Sequence, residues 1–155
     1  MKRISLLAAV AVACVFTACK KDEEKPKSTS ELLMAKSWKI TAYTEQVGSA
    51  AATDEYASAD ACLKDNIYKF EASNKFTTDE GTTKCDPTDP QSVSGNWALT
   101  NSDKTLTAVA VDQATFTSFE LTGSIDEISA SKFVLSESET AGGTTTVSKT
   151  TFTAQ

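Results

Sequence analysis

Apolar and polar residues alternate along most of the chain after residue 36. A period of two is typical of strands with one buried face, and no later segment has a convincing helical period. The pattern therefore predicts an all-β protein of about eight short strands. They fall at residues 37–44, 66–71, 75–80, 95–100, 105–111, 115–122, 132–137 and 144–153, with 124–129 as a further short strand or a strand end.

The clearest local prediction is a β-hairpin in the middle of the chain. Tyr68 and Phe70 share one face of its first strand. A tight turn is expected at Ala72–Asn74, because asparagine tolerates a positive φ angle. The second strand covers residues 75–80, and Gly81 ends it.

Two segments interrupt the strand pattern. Residues 30–36 predict one or two helical turns, with Ser30 as the N-cap and with Leu33 and Met34 covering one end of the core. Residues 46–60 are small, polar and rich in alanine, and they predict a long loop.

The short connections between strands set the expected architecture. Consecutive strands joined this tightly pair antiparallel in an up-and-down order. Strands with one apolar face need closure or a second layer. Residues 31–155 therefore predict one domain, an antiparallel β-barrel of about eight strands with a short N-terminal helical turn. A two-sheet β-sandwich fits the same pattern.

The start of the chain has the layout of a secretory signal. Lys2 and Arg3 are basic, and residues 4–18 are apolar or small with no charge. This arrangement predicts a signal peptide over residues 1–18, since the apolar run is short for a membrane-spanning helix. A buried helix or a membrane anchor is the alternative.

The residues around Cys19 extend that interpretation. Phe16-Thr17-Ala18-Cys19 resembles a bacterial lipoprotein box, whose cysteine becomes the acylated N-terminus. Cys14 is a second candidate, but a cut there would leave an apolar run after it. Residues 20–30 are charged and polar, so residues 19–30 are expected to form a flexible tether.

Lys20 to Glu24 carry an acidic cluster that resembles the export signal of Bacteroidetes surface lipoproteins. The resemblance implies a protein anchored by its lipid to the outer membrane, at the cell surface. The periplasmic face of that membrane stays open as the alternative.

Charge and composition exclude several functions. The formal net charge is -6, and an acidic chain of this size is repelled by nucleic acid. The chain has no histidine, so neither a Ser-His-Asp triad nor a histidine-ligated metal site can form. It also has no Gly-x-Ser-x-Gly motif. We therefore predict a protein that is not an enzyme and needs no cofactor.

Carboxylates are the one remaining route to catalysis or metal binding. Asp79, Glu80, Asp86 and Asp89 are close in sequence, but nothing in the pattern makes them converge. Their spacing is not that of a known calcium loop. Turns stabilised by Asp and Pro are the favoured interpretation, and no metal site is predicted.

Cys62 and Cys85 flank the predicted hairpin. They are the cysteines that remain once the signal is removed and Cys19 is acylated. An even pair in an exported chain predicts a disulfide, which would add about 3 kcal/mol of stability by the chain-entropy model.

The motifs from Trp38 onward carry a family resemblance. Trp38 opens the first strand, the hairpin lies between Cys62 and Cys85, and Gly95-Asn96-Trp97-Ala98-Leu99 follows. Together they resemble the lipocalin-like domain of Bacteroidetes lipoproteins, over about residues 31–153. The resemblance implies a closed or half-open antiparallel barrel behind a lipid anchor. The glycine of the lipocalin Gly-x-Trp motif is replaced here by Lys36.

An eight-stranded barrel has room for one small apolar ligand. By alternation, the side chains expected to line such a site are Trp38, Tyr68, Phe70, Trp97, Leu99, Phe119, Leu121, Phe133 and Leu135. The alternative is that they fill the barrel as a packed core. A second hypothesis is a structural or interaction protein that contacts a protein or glycan through loops 46–61 and 86–94.

Overall fold

A computed structural model describes residues 26–114 and 118–155 of the chain. The predicted signal peptide, Cys19 and the first part of the predicted tether lie outside these ranges. The described strands are β1 Ser37–Val47, β2 Thr53–Asp54, β3 Ile67–Phe70, β4 Lys75–Asp79, β5 Ser92–Thr100, β6 Thr105–Val111, β7 Ser118–Ile128, β8 Lys132–Ala141 and β9 Thr144–Ala154. Helices α1 Thr29–Met34 and α2 Ala61–Lys64 and a 3-10 turn at Ala72–Asn74 complete the elements.

Eight of these strands form a closed antiparallel barrel. All except β2 follow one another around the sheet in chain order, and β9 returns to pair with β1 from Trp38 to Val47. The two-residue β2 adds to the other edge of β1. This closure confirms the predicted up-and-down barrel and removes the β-sandwich alternative, because a single sheet supplies both sides of the core.

The predicted hairpin is present, and its turn has the expected backbone. Ser73 and Asn74 have φ angles of 59° and 62°. Tyr68 pairs with Thr78, and Phe70 pairs with Phe76, so these four side chains share the face of the hairpin that points to the barrel interior.

Strand boundaries differ from the sequence pattern where backbone pairing continues past the apolar residues. The predicted strands 115–122 and 124–129 are one strand, β7, bent by a bulge at Asp126; residues 115–117 lie outside the described ranges. Strand β8 continues to Ala141, because its polar end pairs with β9 in an exposed hairpin. Gly142 and Gly143 turn this hairpin with positive φ angles.

Helix α1 closes one end of the barrel. Its N-cap is Ser28 rather than the predicted Ser30: the Ser28 hydroxyl accepts the Glu31 N–H at 3.3 Å, and the Glu31 carboxylate accepts the Ser28 N–H at 2.7 Å. Leu33 is fully buried, as predicted, but Met34 is 39% exposed. The prediction for Met34 was wrong because a six-residue helix presents only a narrow face to the barrel.

Helix α2 was missed, because a single turn leaves no helical period to detect. Within residues 26–114 and 118–155, no helix combines the length and the apolar character that a membrane span requires.

Aromatic side chains fill the half of the barrel next to α1, which we call the filled half. Phe133 lies at its centre, 4.8 Å from Trp38 in an edge-on contact and 4.2 Å from Phe152 in a stacked one, between ring centroids. Phe70 on β3 also contacts Phe133, at 6.1 Å between ring centroids. The six rings of the filled half are those of Trp38, Phe70, Phe76, Trp97, Phe133 and Phe152.

Candidate functional site

The remaining half of the barrel interior contains a cavity of about 520 Å³, and we call it the open half. Every strand from β3 to β9 except β6 contributes to its wall, together with β1. The side chains that line it from these strands include Ile40, Tyr43, Tyr68, Thr78, Val93, Phe119, Leu121, Glu137 and Thr150.

Two rings form the boundary between the halves. Tyr68 and Phe119 lie 5.1 Å apart between centroids and both line the cavity. Behind them, Tyr68 packs on Phe152 and Phe119 packs on Phe76, at 5.6 and 6.0 Å. The cavity therefore has an aromatic floor that rests on the filled half.

The Tyr68 hydroxyl lies in a weakly hydrated and negative environment. Burial, followed by the nearby charges of Glu80 and Tyr56, raises the pKa of Tyr68 to about 12, although a hydrogen bond with Asn66 lowers it. Tyr68 is therefore a neutral phenol at any physiological pH, and its hydroxyl is hydrogen-bonded with Asn66, another residue of the lining.

Residues 48–66, which we call the flap, line the cavity with Tyr56, Ala59 and Leu63. The flap lies along the edge of β1 between that strand's pairings with β3 and β2. There the Tyr56 hydroxyl donates to the Ile40 carbonyl at 2.8 Å, and the Tyr56 N–H donates to the Tyr43 carbonyl at 3.2 Å. The Tyr43 carbonyl also accepts the Glu55 N–H at 3.0 Å, so the flap supplies partners for carbonyl groups on this edge of β1.

The far end of the flap is fixed to the segment after β4. The predicted Cys62–Cys85 disulfide is present, with the two Cα atoms 5.2 Å apart. One carboxylate oxygen of Asp65 accepts the backbone N–H groups of Thr82 and Thr83, both at 2.9 Å. Burial raises the pKa of Asp65, but these hydrogen bonds outweigh it and leave that pKa below its usual value.

Gly81 makes this contact sterically possible. Its φ angle is +69°, and a Cβ atom there would collide with the backbone carbonyl of Asp65. The covalent bridge and the Asp65 hydrogen bonds together fix the flap at the mouth of the cavity.

Three of the nine side chains predicted to line a ligand site do line the cavity: Tyr68, Phe119 and Leu121. Five others, Trp38, Phe70, Trp97, Phe133 and Leu135, are buried in the core and are not among the lining residues, and Leu99 packs against that core. The packed-core alternative describes these six. Alternation selects inward side chains correctly, but it does not distinguish the two ends of the barrel.

The lining residues that the sequence did not reveal have two origins. Tyr43 faces inward because a bulge between Ile40 and Ala42 reverses the alternation of β1. Tyr56, Ala59 and Leu63 come from the flap, whose folding over the cavity depends on long-range contacts. The only signal in the sequence was the length of the 46–61 loop. The 86–94 loop contributes only Val93, which lies in β5.

The four acidic residues considered for catalysis do not converge. Asp79 and Glu80 line the cavity, whereas Asp86 and Asp89 do not. Asp86 accepts the Thr88 N–H and hydroxyl at 2.8 and 2.6 Å, which lowers its pKa and makes the predicted Asp turn. Among the described residues, no group of three or more His, Cys, Asp or Glu side chains could hold a metal ion.

Comparison with known protein families identifies a domain type in this chain. A family model described as a lipocalin-like domain matches residues 34–135. The matched region runs from the end of α1 into β8, so it includes most of the cavity wall and the flap. No curated protein matches the chain.

Proposed function

Because this chain belongs to the lipocalin-like domain family, whose members are generally binding proteins rather than enzymes, we propose that it binds a small apolar ligand in the open half of its barrel. The observation that carries the proposal is the cavity itself. Its volume of about 520 Å³ lies within the range of about 300–1,000 Å³ that is typical of small-molecule sites.

The lining supports a ligand with an apolar body. It includes the rings of Tyr68 and Phe119 and the side chains of Leu121 and Val93, and all of these except Phe119 are buried. Removing such surfaces from water favours binding by about 25 cal/mol for each Å² of apolar area. The carboxylates that line the cavity would orient the ligand.

The proposal predicts no catalysis and no cofactor. The chain has no histidine, and the acids considered for catalysis are divided between the cavity and an external turn. An interaction role through the flap and the 86–94 loop, with a protein or a glycan, remains the alternative if no ligand binds.

Ligand binding can be tested with Nile red, a neutral dye whose fluorescence rises in apolar surroundings. Ala59 lines the cavity, and Ala57 is exposed in the same flap and does not line it. We expect the wild type and the Ala57→Trp variant to bind the dye, and the Ala59→Trp variant to lose most of this binding because an indole ring occupies the cavity. Equal binding by both variants, or no binding by the wild type, would reject the proposed site.

We also propose that the protein is exported, acylated at Cys19 and held at the outer membrane on the cell surface. The lipoprotein-box sequence and the charged residues after it support this location. The Cys62–Cys85 disulfide supports it too, since such bonds persist in oxidising compartments.

The location has its own test. Metabolic labelling with an alkyne fatty acid should label the wild type and leave the Cys19→Ala variant unlabelled and released from the membrane fraction. Protease added to intact cells should then remove the wild-type domain. Protection from the protease with labelling intact would place the domain on the periplasmic face instead.

A further inference from the structure

The charged groups that line the cavity are all acidic. Its described lining has five carboxylates and no lysine or arginine, and they belong to Glu55, Asp79, Glu80, Glu120 and Glu137. The chain as a whole has 15 basic residues for 21 acidic ones, so this lining departs from the overall composition. None of the three ion pairs found in residues 26–114 and 118–155 involves a cavity carboxylate.

Strand alternation separates the carboxylates that face the cavity from those that border it. Glu137 lies two residues after the inward Leu135 on β8 and pairs with Ser148. The Ser148 hydroxyl accepts a hydrogen bond from the lining residue Tyr43 at 3.4 Å. By alternation Glu137 therefore lies on the same face as the tyrosine, and it is exposed at the mouth of the cavity.

Glu80 also lines the cavity, and its carboxylate accepts the Cys85 N–H at 3.4 Å. It lies two residues after Thr78, which pairs with the lining residues Tyr68 and Val93. The Glu80 N–H donates to the Gln91 carbonyl at 2.9 Å, so the β4–β5 pairing continues to this position. Its charge is close enough to Tyr68 to raise the pKa of that hydroxyl.

Two other carboxylates border the cavity from the outer face. Glu120 lies between the inward residues Phe119 and Leu121, and its carboxylate accepts the Thr122 hydroxyl at 3.5 Å. Asp79 lies next to the inward Thr78, and its carboxylate accepts the Gly81 N–H at 2.9 Å. Glu71 is instead a suitable control for Glu80 and Glu137, because it does not line the cavity and its carboxylate pairs with the Lys75 ammonium at 3.3 Å.

Aromatic rings are the second feature of the lining. Tyr43, Tyr56, Tyr68 and Phe119 all line the cavity. The faces of such rings attract cations, more strongly when water is excluded. Tyr56 already takes part in such a contact, since the Lys64 ammonium lies 5.3 Å from its ring centre. Lys64 itself does not line the cavity, and its ammonium donates to the Ala57 carbonyl at 3.1 Å.

We propose that the ligand of this cavity is an organic cation, an ammonium group attached to an apolar body. The ammonium would interact with Glu80, Glu137 and the tyrosine rings, and the apolar body would lie on the Tyr68 and Phe119 floor. This inference depends on the proposed function, since it names the class of ligand for the same cavity. It also predicts that fatty acids and other anions are rejected, because their carboxylate would be buried beside like charges.

The test uses three compounds with one apolar body: 4-phenylbutylamine, 4-phenylbutanol and 4-phenylbutyrate. Isothermal titration at pH 7 and low salt should give the tightest binding for the amine, by about tenfold or more over the alcohol, and the weakest for the carboxylate. The preference for the amine should shrink when salt is raised to about 0.5 M, because screening weakens exposed charge interactions.

Variants locate the effect. The double variant Glu80→Gln with Glu137→Gln should bind amine and alcohol within about threefold of each other, and Glu71→Gln should keep the wild-type preference. Unchanged affinity for the alcohol shows that the double variant is folded. If the double variant does not fold, the affinities of the wild type for the three compounds and their salt dependence still show whether the cavity prefers a cation.

The outcomes distinguish the two proposals. Equal binding of amine and alcohol by the wild type overturns the cation proposal and leaves the apolar site in place. Tighter binding of the carboxylate overturns it in the same way. If none of the three compounds binds and Nile red does not bind either, both proposals fail.

Discussion

The two halves of the barrel differ in content although the same strands build both. Strand β3 contributes Tyr68 to the cavity and Phe70 to the filled half, two residues apart. Strand β8 contributes Phe133 to the filled half and Glu137 to the cavity. Alternation determines which side chains face inward, but the size of the inward side chains along each strand determines whether that part of the interior is filled or leaves a cavity.

The ends of the barrel are closed by different means. At the filled end, α1 is held by the buried hydrogen bond from the Trp38 indole N–H to the Leu33 carbonyl, at 2.8 Å. At the open end, the flap is held by a disulfide, by Asp65 and by Tyr56. The packed end needs few polar contacts, whereas the flap over a cavity has little core beneath it and depends on them.

Removing a ring from each half should give the largest contrast. Phe133→Ala deletes a fully buried ring that touches three others, and it should cost about 3–5 kcal/mol of unfolding free energy. Phe119→Ala removes a half-buried ring that already borders a cavity, so it should cost less than half of that. Urea unfolding measures both, and equal losses would mean that the halves are packed alike.

Removing the disulfide tests how the open end is closed. The double variant Cys62→Ser with Cys85→Ser should lose about 3 kcal/mol of stability, because the bridge joins residues 23 apart and restricts the unfolded chain. Amide exchange should increase most in residues 48–66, with little change around Phe133. A uniform increase in amide exchange throughout the barrel would show that the disulfide does not act locally on the flap.

The two tryptophans offer a smaller, matched comparison. Trp38→Phe should cost about 1–3 kcal/mol, since it leaves the buried Leu33 carbonyl without its donor. Trp97→Phe should cost less, because its bond to the Glu71 carbonyl at 3.0 Å is only partly buried and water can replace it. Thermal unfolding of the two variants measures the difference, and a reversed order would contradict the account of α1.

The smallest effect concerns Asp65 and pH. Because the folded-state pKa of Asp65 is lowered, its contribution is complete above the ordinary aspartate pKa of about 3.9 and is lost as pH falls through the lowered value. Asp65→Asn should therefore speed amide exchange in the flap at pH 7, and the difference between variant and wild type should shrink as pH falls below about 3.9.

Asp126→Asn is the control for that measurement. Asp126 lies on the outer wall, where hydrogen bonds from Lys149 and Ser136 lower its pKa. Replacing Asp126 should leave amide exchange in the flap unchanged. An equal effect of the two variants would show that Asp65 has no particular role in holding the flap.

Much of the fold could be predicted from the sequence because its determinants are local. Alternation indicated most of the strands, the Ala72–Asn74 turn indicated the hairpin, and the pair of cysteines indicated the disulfide. The inward faces of β3 and β8 followed from the same rule.

The cavity could not be predicted in the same way, because long-range geometry determines it. The bulge near Thr41 turns Tyr43 inward, and only its pairing with β9 reveals that bulge. Tyr56 reaches the cavity because the flap folds along the edge of β1, sixteen residues from its Ile40 partner. The sequence around an acidic residue such as Glu137 does not show that it borders a cavity until the end of the barrel to which it belongs is known.

The central claim is that the open half holds a ligand while the filled half is closed. Native mass spectrometry of residues 20–155, with the disulfide intact, tests it most directly, using protein recovered from the cells that produce it. We predict extra mass that leaves on denaturation, is absent from the Ala59→Trp variant and is present in the Ala57→Trp variant. A bare mass in all three, equal to the chain less two hydrogens, together with no uptake of Nile red or 4-phenylbutylamine, would contradict the claim.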